Sequence, residues 1–582
     1  VTWQLRDGEV PVAAAHPIHL VAGRPVSTGD APTLVARTDR QGHLIAQDRG
    51  PSVVIDSVAV LPAANRSVLR LTGQVYGAAT QVRVSTTNPK VRSTEVAAPI
   101  SQPGNGPGSG SGNGSGGRFE VELDLAHEVF RFGSAPLPSG EHEVVVRFGD
   151  GDPVPLGLGN SLQEQLPVRA ETDVHEVVLG RGPGGSLLVA LPLLHRGQAR
   201  RAGVGRAMRQ AAVRRGKATT RGILFRSYFG EKATDNGLAI QAELQRRGSD
   251  LPVYWAVQDR SIVVPDGGIP VLVNSAEWFE KLSSVTYLVD NMYPPEYHLK
   301  PEGQVIVETF HGYPFKLMGM PHWRNQHFSQ EKIDSYLRRS AEWDYLLSPA
   351  TYATELLTRD FCFEGPVLEI GYPRNDVLQS AEAEEIREAT RRSLGIEDGQ
   401  RVLLYAPTFR DYLARNDHQA AMSDFFDFDE IGRAFGDDVV VLMRGHAFHA
   451  RTKTRVGSRG TTIDVTDYPE VSDLYLAADV GVVDYSSLRF DFGVTGKPMI
   501  FLVPDLQRYV DTRGWLFDFE PTAPGPLVNT TAEVIEQLRD LDGLRRDYAS
   551  AYEKFRATYL DLEDGHAAAR FVDAVIAPNG DA

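Results

Sequence analysis

Two periodicities divide the chain. Up to about residue 175, apolar and polar positions alternate. Phe119, Val121, Leu123 and Leu125 are interleaved with Glu120, Glu122 and Asp124, and Val82 and Val84 flank Arg83. Residues 53–61 and 141–148 are further strand-length runs, the second ended by Gly149-Asp150-Gly151-Asp152. A period of two puts one face of each strand in a core and the other in water. Such strands separated by turns predict an immunoglobulin-like β-sandwich without the disulfide of antibody domains. Within it, residues 103–117 are all Pro, Gly, Asn or Ser, which cannot pack a core and predict a mobile loop.

From residue 222 the pattern changes to continuous apolar runs that alternate with helical periodicity. Strands are predicted over 222–229, 252–258, 285–290 and 304–310, and a helix over 236–247. A second series begins at 401–407 and continues with 438–443, 479–484 and 498–503. Apolar strands joined by helices imply parallel sheets covered on both faces. Two such units in tandem predict two Rossmann-like domains with a cleft between them, the GT-B arrangement of glycosyltransferases. The expected division is a β-sandwich at 1–178, a basic linker or helix at 179–221, and the two α/β domains at 222–385 and 386–582, the last with C-terminal helices.

Of the 582 residues 42% are hydrophobic and 23% charged, ordinary globular usage that excludes disorder of the whole chain. The formal net charge of −16 argues against nucleic acid as a partner. The single cysteine, Cys362, excludes an internal disulfide framework and a cysteine-rich zinc site, and fits a reducing cytosol. No apolar run reaches the ~18 residues needed to cross a bilayer; the best, at 187–194, is interrupted by Pro192. The chain opens Val-Thr-Trp without a Met, as expected of a piece of a longer protein. One segment reverses the acidic average: nine arginines and lysines stand between Arg196 and Arg221 without one acid. Such a stretch is attracted to anionic lipid by roughly 1 kcal/mol per residue. A solvated linker helix, or one docked on the protein's own acidic surface, are the other readings.

Ligands of open α/β sheets collect beyond the carboxyl ends of the strands, where the unusual residues of this sequence fall. Residues 304–310 run into His311, followed by Gly312 and Pro314, which hold a tight turn. An imidazole there suits a general base; a hydrogen-bonded structural histidine is the alternative. The second series ends in Thr408-Phe409-Arg410-Asp411, Arg444-Gly445-His446 and Asp484-Tyr485-Ser486-Ser487. Two serines at a helix start are often only caps. With the free N–H groups and the helix dipole they also form an anion site. Hydroxyls, Arg444 and His446 converging from three strand ends suit a diphosphate. No dinucleotide fingerprint, Walker loop or metal-ligand spacing is present, and the His446/His449 pair lacks a carboxylate partner.

From about Gly222 to Gly525 the chain resembles the CDP-glycerol glycerophosphotransferase family, which primes or extends teichoic acids and related capsular polymers of the cell wall. The resemblance rests on His311-Gly312-Tyr313-Pro314-Phe315-Lys316, Gly371-Tyr372-Pro373-Arg374-Asn375-Asp376, Tyr405-Ala406-Pro407-Thr408-Phe409-Arg410-Asp411, Arg444-Gly445-His446, Asp484-Tyr485-Ser486-Ser487, Lys497-Pro498-Met499-Ile500-Phe501 and Ala523-Pro524-Gly525-Pro526. It implies a metal-independent enzyme of GT-B fold, peripheral to the cytoplasmic face of the membrane. The reaction implied is transfer of glycerol phosphate, or another alditol phosphate, from CDP-glycerol or CDP-ribitol to a hydroxyl of a polymer or lipid-linked acceptor, with release of CMP and without a cofactor. His311 and His446 are the implied functional histidines, the first as base. Arg374, Thr408, Arg444, Asp484, Ser486 and Ser487 are expected on the donor phosphates, with Arg374 closing on them from the crossing segment. Tyr313 and Lys316 are expected on the acceptor side; the family more usually reads His-Gly-Thr-Pro-Leu-Lys there, so Tyr313 and Phe315 are departures. Some bacterial relatives carry a glycosyltransferase as a first half of the chain, which would account for the missing Met. A GT-B transferase that uses a nucleotide sugar and a non-catalytic polymer-binding module are the alternatives.

Overall fold

The computed structural model describes residues 34–38, 44–48, 52–76, 79–88, 91, 93–101, 117–193, 217–408, 410, 414–416, 419–420, 425–445 and 461–581. Residues 103–116, most of the basic stretch, and His446 lie outside these. The chain divides into two compact units.

In the first unit the alternating residues form two sheets. One runs in the order Val168–Glu171, Glu176–Arg181, Leu187–Leu191, Gly140–Phe148, Gln81–Thr87 and Val96–Pro99. The other runs Leu156–Leu158, Ser52–Ala63, Arg66–Tyr76 and Gly117–Asp124. Val53, Ile55, Leu69 and Leu71 of the second sheet share one core with Val82, Val144, Leu179 and Val189 of the first. The boundary at 178 is corrected: Leu187–Leu191 pairs with both Gly140–Phe148 and Glu176–Arg181. An inner strand reads as a continuous apolar run, and such a run does not announce its sheet.

The second unit holds two parallel sheets. The first contains β1 (Thr220–Arg226), β2 (Val253–Val257), β3 (Gly268–Leu272), β4 (Val285–Asp290), β5 (Val305–Glu308), β6 (Tyr345–Ser348) and β7 (Val367–Glu369) in the order β3-β2-β1-β4-β5-β6-β7. The second contains β8 (Arg401–Ala406), β9 (Val439–Met443), β10 (Thr461–Asp464), β11 (Val480–Val483), β12 (Met499–Leu502) and β13 (Leu527–Val528) in the order β10-β9-β8-β11-β12-β13. Both orders reverse beside the first strand, between β1 and β4 and between β8 and β11. These reversals are where doubly wound sheets open a binding crevice. The result is a GT-B-like α/β fold of two lobes.

The division at 386 needs one correction. The last segment of the chain returns to the first lobe: Phe571, Val572, Val575 and Ile576 share a core with Ile223, Phe225, Val253 and Trp255. The apolar stripe of this terminal segment covers the sheet of the first lobe.

Candidate functional site

The crevice of the first lobe is lined by backbone in unusual conformations. Tyr228 and Phe229 after β1, Tyr293 after β4 and Phe310 after β5 all have φ between +49° and +67°, a region bulky residues seldom adopt except where the surroundings impose it. His311 follows Phe310 and is exposed. Its Nδ1 lies 3.1 Å from the Asn291 carbonyl oxygen. A carbonyl only accepts, so Nδ1 carries the proton and Nε2 keeps the lone pair in the neutral ring. Tyr228 stands edge-on to the imidazole, with ring centroids 5.8 Å apart. One edge of the ring meets solvent, yet the recess around it disfavours the cation. The His311 pKa is therefore lowered, chiefly by desolvation; Arg374 and Lys316 act in the same sense and the Asn291 carbonyl and Asp235 oppose them.

Beyond His311 the chain crosses into the second lobe. A Cβ on Gly312 would stand 2.8 Å from the Ser487 Oγ, and the Tyr372 hydroxyl donates to the Gly312 carbonyl at 3.0 Å. Tyr313 is not on an acceptor surface: it is buried and stacks on Phe490 at 3.9 Å and 10°. Phe315 is fully buried and stacks on Trp515 at 4.7 Å. Both departures from the family's usual motif are thus core residues of the second lobe, where large apolar rings gain most from burial. Lys316 remains half-buried, with its Nζ 5.6 Å from the Tyr509 ring centre.

The strand ends of the second lobe hold two kinds of residue. Thr408 donates to the Asp484 carboxylate from its N–H and, at 2.6 Å, from its hydroxyl. Arg410 donates to Asp484 at 2.6 Å and to Asp505 at 2.7 Å, and all three charges are buried. Thr408 and Asp484, expected on donor phosphates, therefore hold each other and the loop after β8; a carboxylate so placed would repel a phosphate. Ser486 and Ser487 lead into α2 (Leu488–Val494), α1 being Asn236–Arg246. Ser486 accepts from the Leu488 N–H at 3.2 Å, the capping role. Ser487, the cap position itself, makes no side-chain cap bond. Arg444 at the end of β9 donates to the carbonyls of Val465 and Tyr468 at 3.2 and 3.0 Å.

Arg374 differs most from expectation. It is 6% exposed and donates to Asp235 at 3.1 Å and to Asp491 at 2.9 Å, with its guanidinium 3.9 Å from the Tyr372 ring centre. Each of its nitrogens already donates to a carboxylate, so it joins the lobes and is not free to close on a ligand. Its two neighbours add further ties. Asn375 bridges Asp491 and Glu563, and Asp376 accepts from the N–H groups of Ala567 and Ala568.

Four residues of the crevice escape sequence reasoning. Asp235 and Asn291 link His311 to Arg374, Tyr228 packs on the imidazole, and Lys232 lies half-buried in the loop after β1. Burial, with the charge of Arg444 added, pushes the Lys232 ammonium down to about 7. The loop after β1 also meets the second lobe where the Thr234 hydroxyl bonds the Glu470 carboxylate. The only signal was their place after an apolar strand. Among the described residues no three His, Cys, Asp or Glu side chains are grouped to hold a metal, and no helix is long and apolar enough to cross a membrane. The arrangement sets an imidazole with its lone pair on Nε2 one residue from Gly312, which approaches the Ser487 hydroxyl at a helix start.

Residues 208–577 match the sequence profile of the family described as CDP-Glycerol:Poly(glycerophosphate) glycerophosphotransferase. The chain is 31% identical over 362 residues to the teichoic acid poly(glycerol phosphate) polymerase of Bacillus subtilis (strain 168), covering 61% of this chain and 48% of that protein. It is 32% identical over 362 residues to the teichoic acid glycerol-phosphate transferase of Staphylococcus aureus, covering 61% and 92%. The chain thus spans about half the length of the Bacillus polymerase. It also resembles the solved wall teichoic acid polymerase TagF, with a TM-score of 0.59 and 27% identity over 66% of this chain and 96% of that one. A variant of that polymerase has been solved after soaking with CDPG, and matches with a TM-score of 0.60.

Proposed function

Because the chain belongs to the CDP-glycerol:poly(glycerophosphate) glycerophosphotransferase family, we propose that it transfers glycerol phosphate from CDP-glycerol to a hydroxyl of a growing teichoic-acid-like or capsular polymer. The hydroxyl oxygen attacks the β-phosphorus in line and gives its proton to Nε2 of His311. The bond from that phosphorus to the bridging oxygen breaks, and its electrons leave with CMP. Charge spreads over the phosphoryl oxygens, so positioning and electrostatic stabilisation supply most of the rate. The Ser487 hydroxyl, which makes no cap bond at the start of α2, takes a donor phosphate, with Ser486 holding the turn. Lys232 and Arg444 are two cations close together, each disfavoured by burial; a diphosphate between them relieves that cost. His446, two residues beyond Arg444, acts on the departing CMP. These groups neutralise the diphosphate without a resident metal.

The observation that carries this reading is the close approach of Gly312, next to His311, to Ser487 of the opposite lobe, with Nε2 of the imidazole keeping its lone pair. The first unit, with its two large sheets on one core, serves as an immunoglobulin-like β-sandwich accessory domain. The basic residues 196–221 hold the enzyme to anionic lipid at the cytoplasmic face, where a lipid-linked acceptor is found. Incubation with CDP-glycerol or CDP-ribitol and a short phosphodiester acceptor tests the reaction. CMP release matched by glycerol phosphate in the product is expected, and transfer of a sugar from a nucleotide sugar would replace this reading.

A further inference from the structure

The imidazole of His311 is the end of a continuous chain of buried polar groups. Its Nδ1–H donates to the Asn291 carbonyl at 3.1 Å. The Asn291 side chain is spent in two directions: Oδ1 accepts the Tyr228 N–H at 2.8 Å and Nδ2 donates to Asp235 Oδ2 at 2.8 Å. Asp235 Oδ1 accepts from the Asn236 N–H at 2.7 Å and from Arg374 at 3.1 Å. Arg374 then reaches Asp491 in α2, the helix that Ser487 opens. Asn291 and Asp235 are 2% and 4% exposed. A helix cap alone does not account for Asp235, because its backbone stands at φ +70°, ψ −152°, close to a region nearly reserved for glycine. That conformation is held while the carboxylate faces Asn291 and Arg374 together.

We propose that Asp235 and Asn291 are positioning residues for His311: Asp235 fixes the Asn291 amide, and Asn291 so held keeps its carbonyl on Nδ1–H and the lone pair on Nε2. This rests on His311 being the base. The charged and titratable groups facing the ring are Asp235, Arg374, Lys316 and Tyr228. Asp235→Asn cannot preserve the chain. Its single oxygen can meet only one side: facing Asn236 N–H and Arg374 it sets an NH2 against the Asn291 Nδ2 donor, and facing Asn291 it sets the NH2 against Asn236 N–H and Arg374. Asn291→Ala removes the relay while leaving the Asp235–Arg374 pair in place.

The experiment follows the imidazole nitrogens of the 15N-histidine-labelled chain, with His311 assigned as the signal missing in His311→Ala, alongside steady-state kinetics. Wild type should show the Nδ1–H tautomer. Both variants should shift the population towards Nε2–H and lower kcat roughly 10- to 100-fold, the usual worth of an orienting partner, with donor KM within about threefold. In Asp235→Asn the lost negative charge should also move the His311 titration, and the acid limb of kcat/KM, to lower pH. Melting curves on both variants separate these effects from loss of fold. If either variant melts as wild type and leaves tautomer, titration and kcat unchanged while His311→Ala is inactive, the positioning proposal is overturned. An active His311→Ala would instead overturn the base assignment, and the tautomer readout would still decide the positioning role.

Discussion

Gly312 of the first lobe approaches Ser487 of the second so closely that a single added carbon would stand 2.8 Å from its hydroxyl oxygen. This contact brings the residue after His311 against the start of α2. Gly312→Ala should push the Ser487 hydroxyl off its rotamer and raise the donor KM several-fold, with little change in melting temperature. Ser487→Ala should weaken donor binding in calorimetric titration without loss of stability. Ser486→Ala should do the reverse, costing ~1 kcal/mol as a lost cap, because Ser486 holds the Leu488 N–H.

Arg374→Ala should destabilise the protein by about 3–5 kcal/mol, the cost of stranding one partner of a buried ion pair, since Asp235 and Asp491 would both lose their counter-charge. Denaturant unfolding measures this. Unchanged stability with lost donor affinity would return Arg374 to the donor site.

The contrast between Arg374 and Ser487 shows how far the sequence could be read. The sheets were legible where strands are buried on both faces, because β1, β4, β8 and β9 are runs of continuous apolar residues. Five strands were not: β3 carries Pro270, β6 and β7 are short, β13 has two residues, and β10 opens with two threonines. His311 and the serine pair were legible as polar residues just beyond the ends of apolar runs. Tyr313 was misread because an aromatic two residues from His311 looks like a ligand contact, and only the three-dimensional fold sets it against Phe490. The roles of Arg374, Thr408 and Asp484 depend on partners at least 74 residues away along the chain, which no local pattern contains.

His298 offers a test of the first lobe by pH. It is buried against Gln304, and burial pushes its imidazole down to about 4 from 6.5. The unfolded chain binds that proton first as pH falls. The neutral folded state should therefore lose stability between pH 6.5 and about 4, by about 3 kcal/mol at 1.36 kcal/mol per unit. Above pH 6.5 this contribution is flat. Unfolding across that range should show the loss in wild type and lack it in His298→Gln.

The central claim is that Nε2 of His311 accepts the acceptor hydroxyl's proton, and the most direct measurement is CMP release from CDP-glycerol by His311→Ala in the presence of a phosphodiester acceptor. Turnover should fall by roughly 10²–10⁴, the worth of a general base, with donor affinity and melting temperature close to wild type. Turnover within a few-fold of wild type would contradict it.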